Sequence, residues 1–394
     1  MKTIFEQTSL AGVPLKNRIL RSATFEGMCG ENDGPSPKHT KMYTAIASGG
    51  AGAIITGIVG VRQDGKAFPR MPMIDNDAIL PAFRKMTDAV HKAGAPIFCQ
   101  VMHAGRQTDT ATTLVRPVAP SALRDRTFFW DKPRALSNAE VPLLIESFVR
   151  AVARAKEAGF DGVQIHAAHG FLLSQFLSPY TNRRKDQWGG STQNRCRIVV
   201  EILQRSRGQV GDFPLLVRIN ANDNRRGGVR PDEAVAVARI LEKAGADALD
   251  VSCGVFEDGF NTIRVTQMPR DAMLEKVPQF RFVPKPARRI VRVFLPLIFQ
   301  TAKPVFKYNV DAAEKVRQNV KIPVIVAGGI RSLADMESVL VSGAADYISM
   351  GRPFFREPDI VNKLATGQAT QSACISCGQC LAEMSAGETR CVYA

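Results

Sequence analysis

Read for the placement of apolar and polar positions, the chain divides into short β-branched runs separated by longer stretches with helical spacing. The strand-like runs are Asn17–Thr24, Ala51–Ile58, Pro96–Met102, Gly162–His166, Leu215–Asn220, Ala248–Cys253, Pro323–Gly328 and Tyr347–Gly351. Each is apolar at consecutive rather than alternate positions, the pattern of strands covered on both faces. Between them the apolar residues recur with the helical period. In Glu140–Gly159 the stripe is Leu143, Leu144, Phe148, Val149, Val152 and Ala155, and Gly159 is a residue type that closes helices. The junctions Gly-Phe-Asp-Gly-Val (159–163), Gly-Ala-Asp-Ala-Leu (245–249) and Gly-Ala-Ala-Asp-Tyr (343–347) repeat one helix-stop, strand-start device. A repeated βα unit gives a parallel sheet, and eight units favour closure into a (β/α)₈ barrel of the TIM type over an open doubly wound sheet. The 394 residues suit one such barrel with insertions.

Two stretches break the rhythm. Arg264–Lys307, between the sixth and seventh runs, is longer than an ordinary connection, and a Cys-rich tail follows Ala373. The expected organisation is a barrel over 1–373, with 264–307 as a basic insertion within it, and a tail over 374–394. The net charge is +15, and the insertion holds ten Lys/Arg against two Asp/Glu. No nucleic-acid-binding motif accompanies that charge, so it reads as a local basic surface with no nucleic-acid partner. Residues 286–299 are basic at one end and apolar at the other. They read as a helix or lid on the barrel rim, or else as a membrane-surface or partner-docking patch. No apolar run reaches the roughly 18–20 residues of a membrane span, and the first ten residues do not form a leader. A cytoplasmic protein without a transmembrane segment is expected.

Active-site groups in such a barrel stand where strands end and βα loops begin. The third run ends in Gln100-Val-Met-His103-Ala-Gly-Arg106, and the fourth runs into His166-Ala-Ala-His169-Gly-Phe171. Arg218 lies in the fifth, and the last two close on Gly328-Gly329 and Gly351-Arg352. Glycines after the seventh and eighth strands let backbone N–H groups approach a phosphate, and Arg352 adds a charge-assisted fork. His166 and His169 can both donate to one substrate oxygen as neutral imidazoles. Half of the eight cysteines, Cys374, Cys377, Cys380 and Cys391, crowd the tail with spacing C-x₂-C-x₂-C-x₁₀-C. Such spacing reads as metal or redox chemistry or as reduced thiols, not as a disulfide scaffold.

Several stretches resemble the old yellow enzyme and 2,4-dienoyl-CoA reductase flavoproteins over nearly the whole length. They are NRILRSAT (17–24), QVMHAGR (100–106), GVQIHAAHGFLLSQFLSPYTNRRKDQWGGSTQNR (162–195), VRIN (217–220), AGGIRS (327–332) and GRPFFREPD (351–359). The resemblance implies FMN across the barrel mouth. Ala23, Thr24 and Gly57 would line the ring system, Gln100 would bond its polar edge, and Arg218 would place positive charge at its pyrimidine end. Gly329, Gly351 and Arg352 would hold the phosphate, with Gly328 in the same turn. His166 and His169 match the pair that grips the substrate carbonyl, and Asp186 and Arg195 are expected to pair and pin a loop. The implied reaction is ping-pong. NAD(P)H gives hydride to flavin N5, which passes it to the β-carbon of an activated C=C bond in a small enone, enoate or enoyl-type substrate.

The family usually has Tyr, its proton donor, where this chain has Phe171. Tyr180 or a water is the expected substitute, or else the preferred reaction does not need fast protonation. The tail resembles the iron–sulfur segment of the dienoyl-CoA reductase branch, shorter by one residue in two gaps. A [4Fe–4S] cluster, a zinc ion and free thiols all stay open. With three residues after Cys391, no second flavin domain is expected. A homo-oligomer is the family-level expectation. The alternative reading is a flavin electron-transfer subunit, with a redox partner docking on 264–307.

Overall fold

The computed structural model describes residues 3–394 apart from 31, 126–128, 130, 259–263, 267, 278–279, 281 and 299–305. Eight parallel strands close a barrel in chain order: β1 (Ile19–Arg21), β2 (Ala53–Gly60), β3 (Ile97–Met102), β4 (Gly162–Ala167), β5 (Leu215–Asn220), β6 (Ala248–Ser252), β7 (Val324–Ala327) and β8 (Tyr347–Met350). The ring shuts where β8 pairs with β1, Ile348 opposite Ile19. All eight expected runs become barrel strands, so the (β/α)₈ architecture holds. β1 is only three residues long because Asn17 turns its side chain to Ile19 N–H and Gly50 O, at 3.0 and 2.7 Å, ahead of the ladder.

The doubly apolar strands serve two cores. One fills the barrel interior with Leu20, Ala53, Ile55, Phe98, Leu216, Ala248 and Ile325. The larger one lies between the strands and the outer helices, among them Glu140–Glu157, where Leu144, Phe148, Val149, Val152 and Ala155 are buried. Leu143 of the expected stripe is exposed instead. An antiparallel hairpin, Thr8–Leu10 with Val13–Leu15, plugs the interior from below with Leu10 and Leu15; the sequence reading did not include it.

The insertion and the tail pack together. Helix Arg270–Lys276 and helix Lys285–Ile298 of the insertion share a small core of Val265, Met268, Met273, Leu274 and Leu295, against which Leu381 of tail helix Gln379–Ala386 packs. Lys276 pairs with Glu383, and Thr266 N–H donates to Ser376 O at 2.9 Å. The tail also reaches the first βα loop, where Thr389 N–H donates to Glu26 O at 2.7 Å. No helix among the described residues is long and apolar enough to cross a membrane.

Candidate active site

A buried polar chain crosses the barrel just below its mouth. Gln100 of β3 donates to Gln164 of β4 at 2.6 Å, and Gln164 donates to Asp250 of β6 at 2.9 Å. Asp250 faces Arg218 of β5 at 3.3 Å, and Arg218 donates to Ser22, after β1, at 2.9 Å. The expected residues Gln100 and Arg218 therefore share one network with Gln164, Asp250 and Ser22, which the sequence reading missed. Its signal was present: Gln164 and Asp250 are polar residues inside otherwise apolar runs, and a buried polar side chain needs a partner. Burial raises the Asp250 carboxyl, against the pull of Arg218 and Gln164.

The histidine pair stands on the same network. His166 is the penultimate residue of β4, and His169 follows in a left-handed turn (φ 61°), with the ring centroids 5.0 Å apart and nearly perpendicular. That backbone conformation is held by Asn220, whose Oδ1 accepts from His169 N–H at 3.1 Å. Ser252 Oγ lies 3.5 Å from Arg218 Nη2 and 2.7 Å from His169 Nε2. Arginine can only donate, so the hydroxyl accepts from it and keeps one proton and a second lone pair for Nε2; when it gives that proton to Nε2, the His169 proton lies on Nδ1. His166 Nδ1 accepts from Ala168 N–H at 3.3 Å, which leaves the His166 proton on Nε2. Burial first, then the Arg218 cation, lowers His169 to about 3. His166 falls well below the usual histidine value through burial, its neighbour His169 and Arg218. The site thus offers two neutral N–H donors.

Aromatic side chains wall this pair. Phe171 meets the His166 ring edge-on at 5.2 Å and continues to Phe256 at 6.4 Å; Phe256 contacts Phe68 and Phe129, and Phe68 contacts Phe25 at 5.0 Å. Tyr180 has its ring under the guanidinium groups of Arg106 and Arg225 and its hydroxyl 3.4 Å from Arg225. Arg106 in turn forms a buried pair with Glu257. These contacts tie the phenol to a rim of charged loops rather than to the histidines. His103 is also structural, 3.2 Å from Asp64. Asp186 and Arg195 do not pair as expected. Asp186 binds Arg184 at 2.7 Å and caps Trp188 N–H, while Arg195 reaches Glu233 at the start of the next helix. Both still pin loops, each through a different partner.

The residues expected to hold FMN occupy the strand ends around this network. Ala23 and Thr24 follow β1 half-buried, Gly328 and Gly329 follow β7, and Gly351 and Arg352 follow β8. Gly329 has φ 72°, which fits glycine best. Gly57 is glycine for a local reason: a Cβ would strike the Glu26 carboxylate, which accepts from Gly57 N–H at 3.0 Å and pairs with Arg21 at 2.6 Å. The set fits a flavin. Arg218 keeps a buried Nε without a hydrogen-bond partner at the mouth, a donor that a bound heterocycle can use.

Arg352 also borders a second site. With Phe355 and Arg356 it lines a small, partly open cleft that Cys374, Cys377, Cys380 and Cys391 also line. Cys380 is pushed up to about 11, by burial first and against Arg352, with the other three thiols adding to the rise. Yet among the described residues no three His, Cys, Asp or Glu side chains stand at the spacing of a single metal ion. The donor set is therefore too open for tetrahedral zinc as it stands.

A family model described as NADH:flavin oxidoreductase / NADH oxidase family matches residues 3–263 and 281–371. The chain is 32% identical over 378 residues to an NADH oxidase of Thermoanaerobacter brockii, covering 95% of this chain and 52% of that protein. It thus spans about half the length of that relative. Over 396 residues it is 30% identical to a 4,4'-dithiodibutanoate disulfide reductase of Rhodococcus erythropolis, covering 99% of this chain and 94% of the other. Among solved structures, the old yellow enzyme homologue from Zymomonas mobilis superposes with a TM-score of 0.74 at 26% identity, covering 95% of each chain.

Proposed function

Because the chain belongs to the NADH:flavin oxidoreductase / NADH oxidase family, we propose that it uses FMN to pass hydride from NADH or NADPH to the activated C=C bond of an enone, enoate or enoyl-type substrate. The observation that carries this reading is the histidine pair: both rings neutral, His166 with Nδ1 occupied by Ala168 N–H, and His169 with Nε2 against the Ser252 hydroxyl. Two preorganised donors on one carbonyl oxygen withdraw charge from the conjugated bond as it accepts hydride. When bound, the flavin supplies the hydride chemistry.

The chain's own residues then position, polarise and dry the site. Arg218 sets the Ser252 hydroxyl and supplies positive charge at the mouth, and the phenylalanines from Phe171 to Phe25 keep water from the reacting carbon. Phe171 has no proton to give; Tyr180 Oη accepts from Arg225 and keeps its own proton, so Tyr180 or a solvent water supplies the proton for the α-carbon. The four-cysteine cavity supports a [4Fe–4S] cluster there, and with it a second reading: a flavin subunit that exchanges single electrons with a redox partner.

Absorption spectra of anaerobically purified protein separate the two. Flavin bands that bleach with NADPH and return with cyclohexenone establish the reductase cycle. Bands that bleach and do not return with enone favour the electron-transfer subunit, and absence of flavin after FMN is added back overturns both.

A further inference from the structure

Helix Lys285–Ile298 carries two stripes along its length. Val291 and Leu295 turn inward to the insertion's core. Ile290, Val293 and Phe294, three and four residues apart and so on one face, are 63%, 67% and 53% exposed, and Phe282 just before the helix is 91% exposed. Beside this apolar stripe run Lys285, Arg289 and Arg292, all exposed. Arg292 is within 3.1 Å of Asp271, and Arg288 is occupied by Val283 O at 3.2 Å. No Asp or Glu occurs between Glu275 and Asp311, while that interval holds eight Lys or Arg. At fourteen residues the helix is about 21 Å long.

We propose that this helix docks the protein on an anionic lipid surface, lying parallel to it with Ile290, Val293 and Phe294 sunk among the acyl chains and Lys285 and Arg289 on the headgroups. The lengthwise segregation carries the assignment. Cations occupy one edge and apolar side chains the neighbouring edge of the same helix, and a lipid–water boundary presents anionic headgroups immediately above hydrocarbon. Long Lys and Arg side chains keep their charged ends at headgroup level while their stems stay apolar. An acidic protein would need a row of carboxylates beside an equally long apolar row. The helix is built on the insertion–tail layer and not on the barrel, so docking leaves the histidine site undisturbed.

The test is co-sedimentation of the flavin-loaded protein with vesicles of phosphatidylcholine plus phosphatidylglycerol, compared with phosphatidylcholine alone. The expected result is protein in the pellet with the anionic vesicles only, released as salt is raised. The Ile290→Ser/Val293→Ser/Phe294→Ser and Lys285→Glu/Arg289→Glu variants should each bind at least about tenfold more weakly with unchanged flavin absorbance. Wild-type protein left in the supernatant with anionic vesicles overturns the proposal, whatever the variants do. So does equal pelleting of both variants. A dimer in light scattering that the triple-serine variant converts to monomer, without vesicle binding, assigns the face to a second copy instead.

Discussion

The barrel mouth and the insertion–tail layer are built on opposite principles. At the mouth, five strands and the turns that follow them each contribute one or two polar side chains to a continuous buried network, and every member is backed by a large apolar core. Among the described residues the insertion–tail layer has a core of five buried side chains, tied to the barrel by scattered polar contacts such as Thr389 to Glu26, Lys38 with Glu388 and Arg331 to Cys374 O. A network with a large core behind it can hold two histidines within tenths of an ångström. A layer with few buried contacts opens at lower free energy. Positional chemistry suits the first region, and the proposed docking the second.

The contrast can be broken at its strongest point by removing both donors. His166→Ala with His169→Ala should lower kcat/KM for cyclohexenone by about 10³-fold with FMN content unchanged. A double variant that keeps wild-type kcat/KM would mean the mouth does not polarise the substrate. Next in size is a matched pair of cavities. Phe148→Ala, behind the barrel, should cost about 3–5 kcal/mol of global stability in denaturant titration. Leu295→Ala should cost about 2–4 kcal/mol, read as faster hydrogen exchange confined to the insertion and the tail helix. Equal exchange increases across β1–β8 would show that the two regions unfold as one unit.

Restoring a phenol beside the histidines sharpens the same comparison. Phe171→Tyr should raise enone turnover by about tenfold where protonation limits, and lower the solvent isotope effect. Unchanged values would place the limiting step elsewhere. The smallest effect is on pH. Both histidines have folded-state values below the usual 6.5, so the stability they contribute is complete above about that pH. It is lost as pH falls toward the depressed values, by at most about 1.4 kcal/mol per pH unit for each. Thermal midpoints should therefore fall from pH 6.5 downward, less steeply in the His166→Asn/His169→Asn variant.

Much of the mouth was legible because strands buried on both faces write an unbroken apolar run, and because chemistry at strand ends interrupts it. The same rule, applied to the middle of a run, would have found Gln164 and Asp250. The hairpin at Thr8–Leu15 was not legible: two three-residue strands are too short for a period to show. Asp186 and Arg195 share a motif but not a contact, since the helix-start carboxylate of Glu233, one unit later in the chain, stands nearer to the arginine. The pairing of insertion with tail joins residues about a hundred positions apart, and no periodicity spans that distance.

The seam of the ring has a consequence for synthesis. β1 is the first barrel strand and its partner β8 the last, with Ile348 opposite Ile19. On the ribosome, β1 therefore keeps one edge unpaired until β8 has emerged. An open edge is a template for pairing with another chain, and closing so long a loop makes the seam a late event. Nascent chains stalled before Tyr347 should be far more prone to aggregate than those released just after Met350.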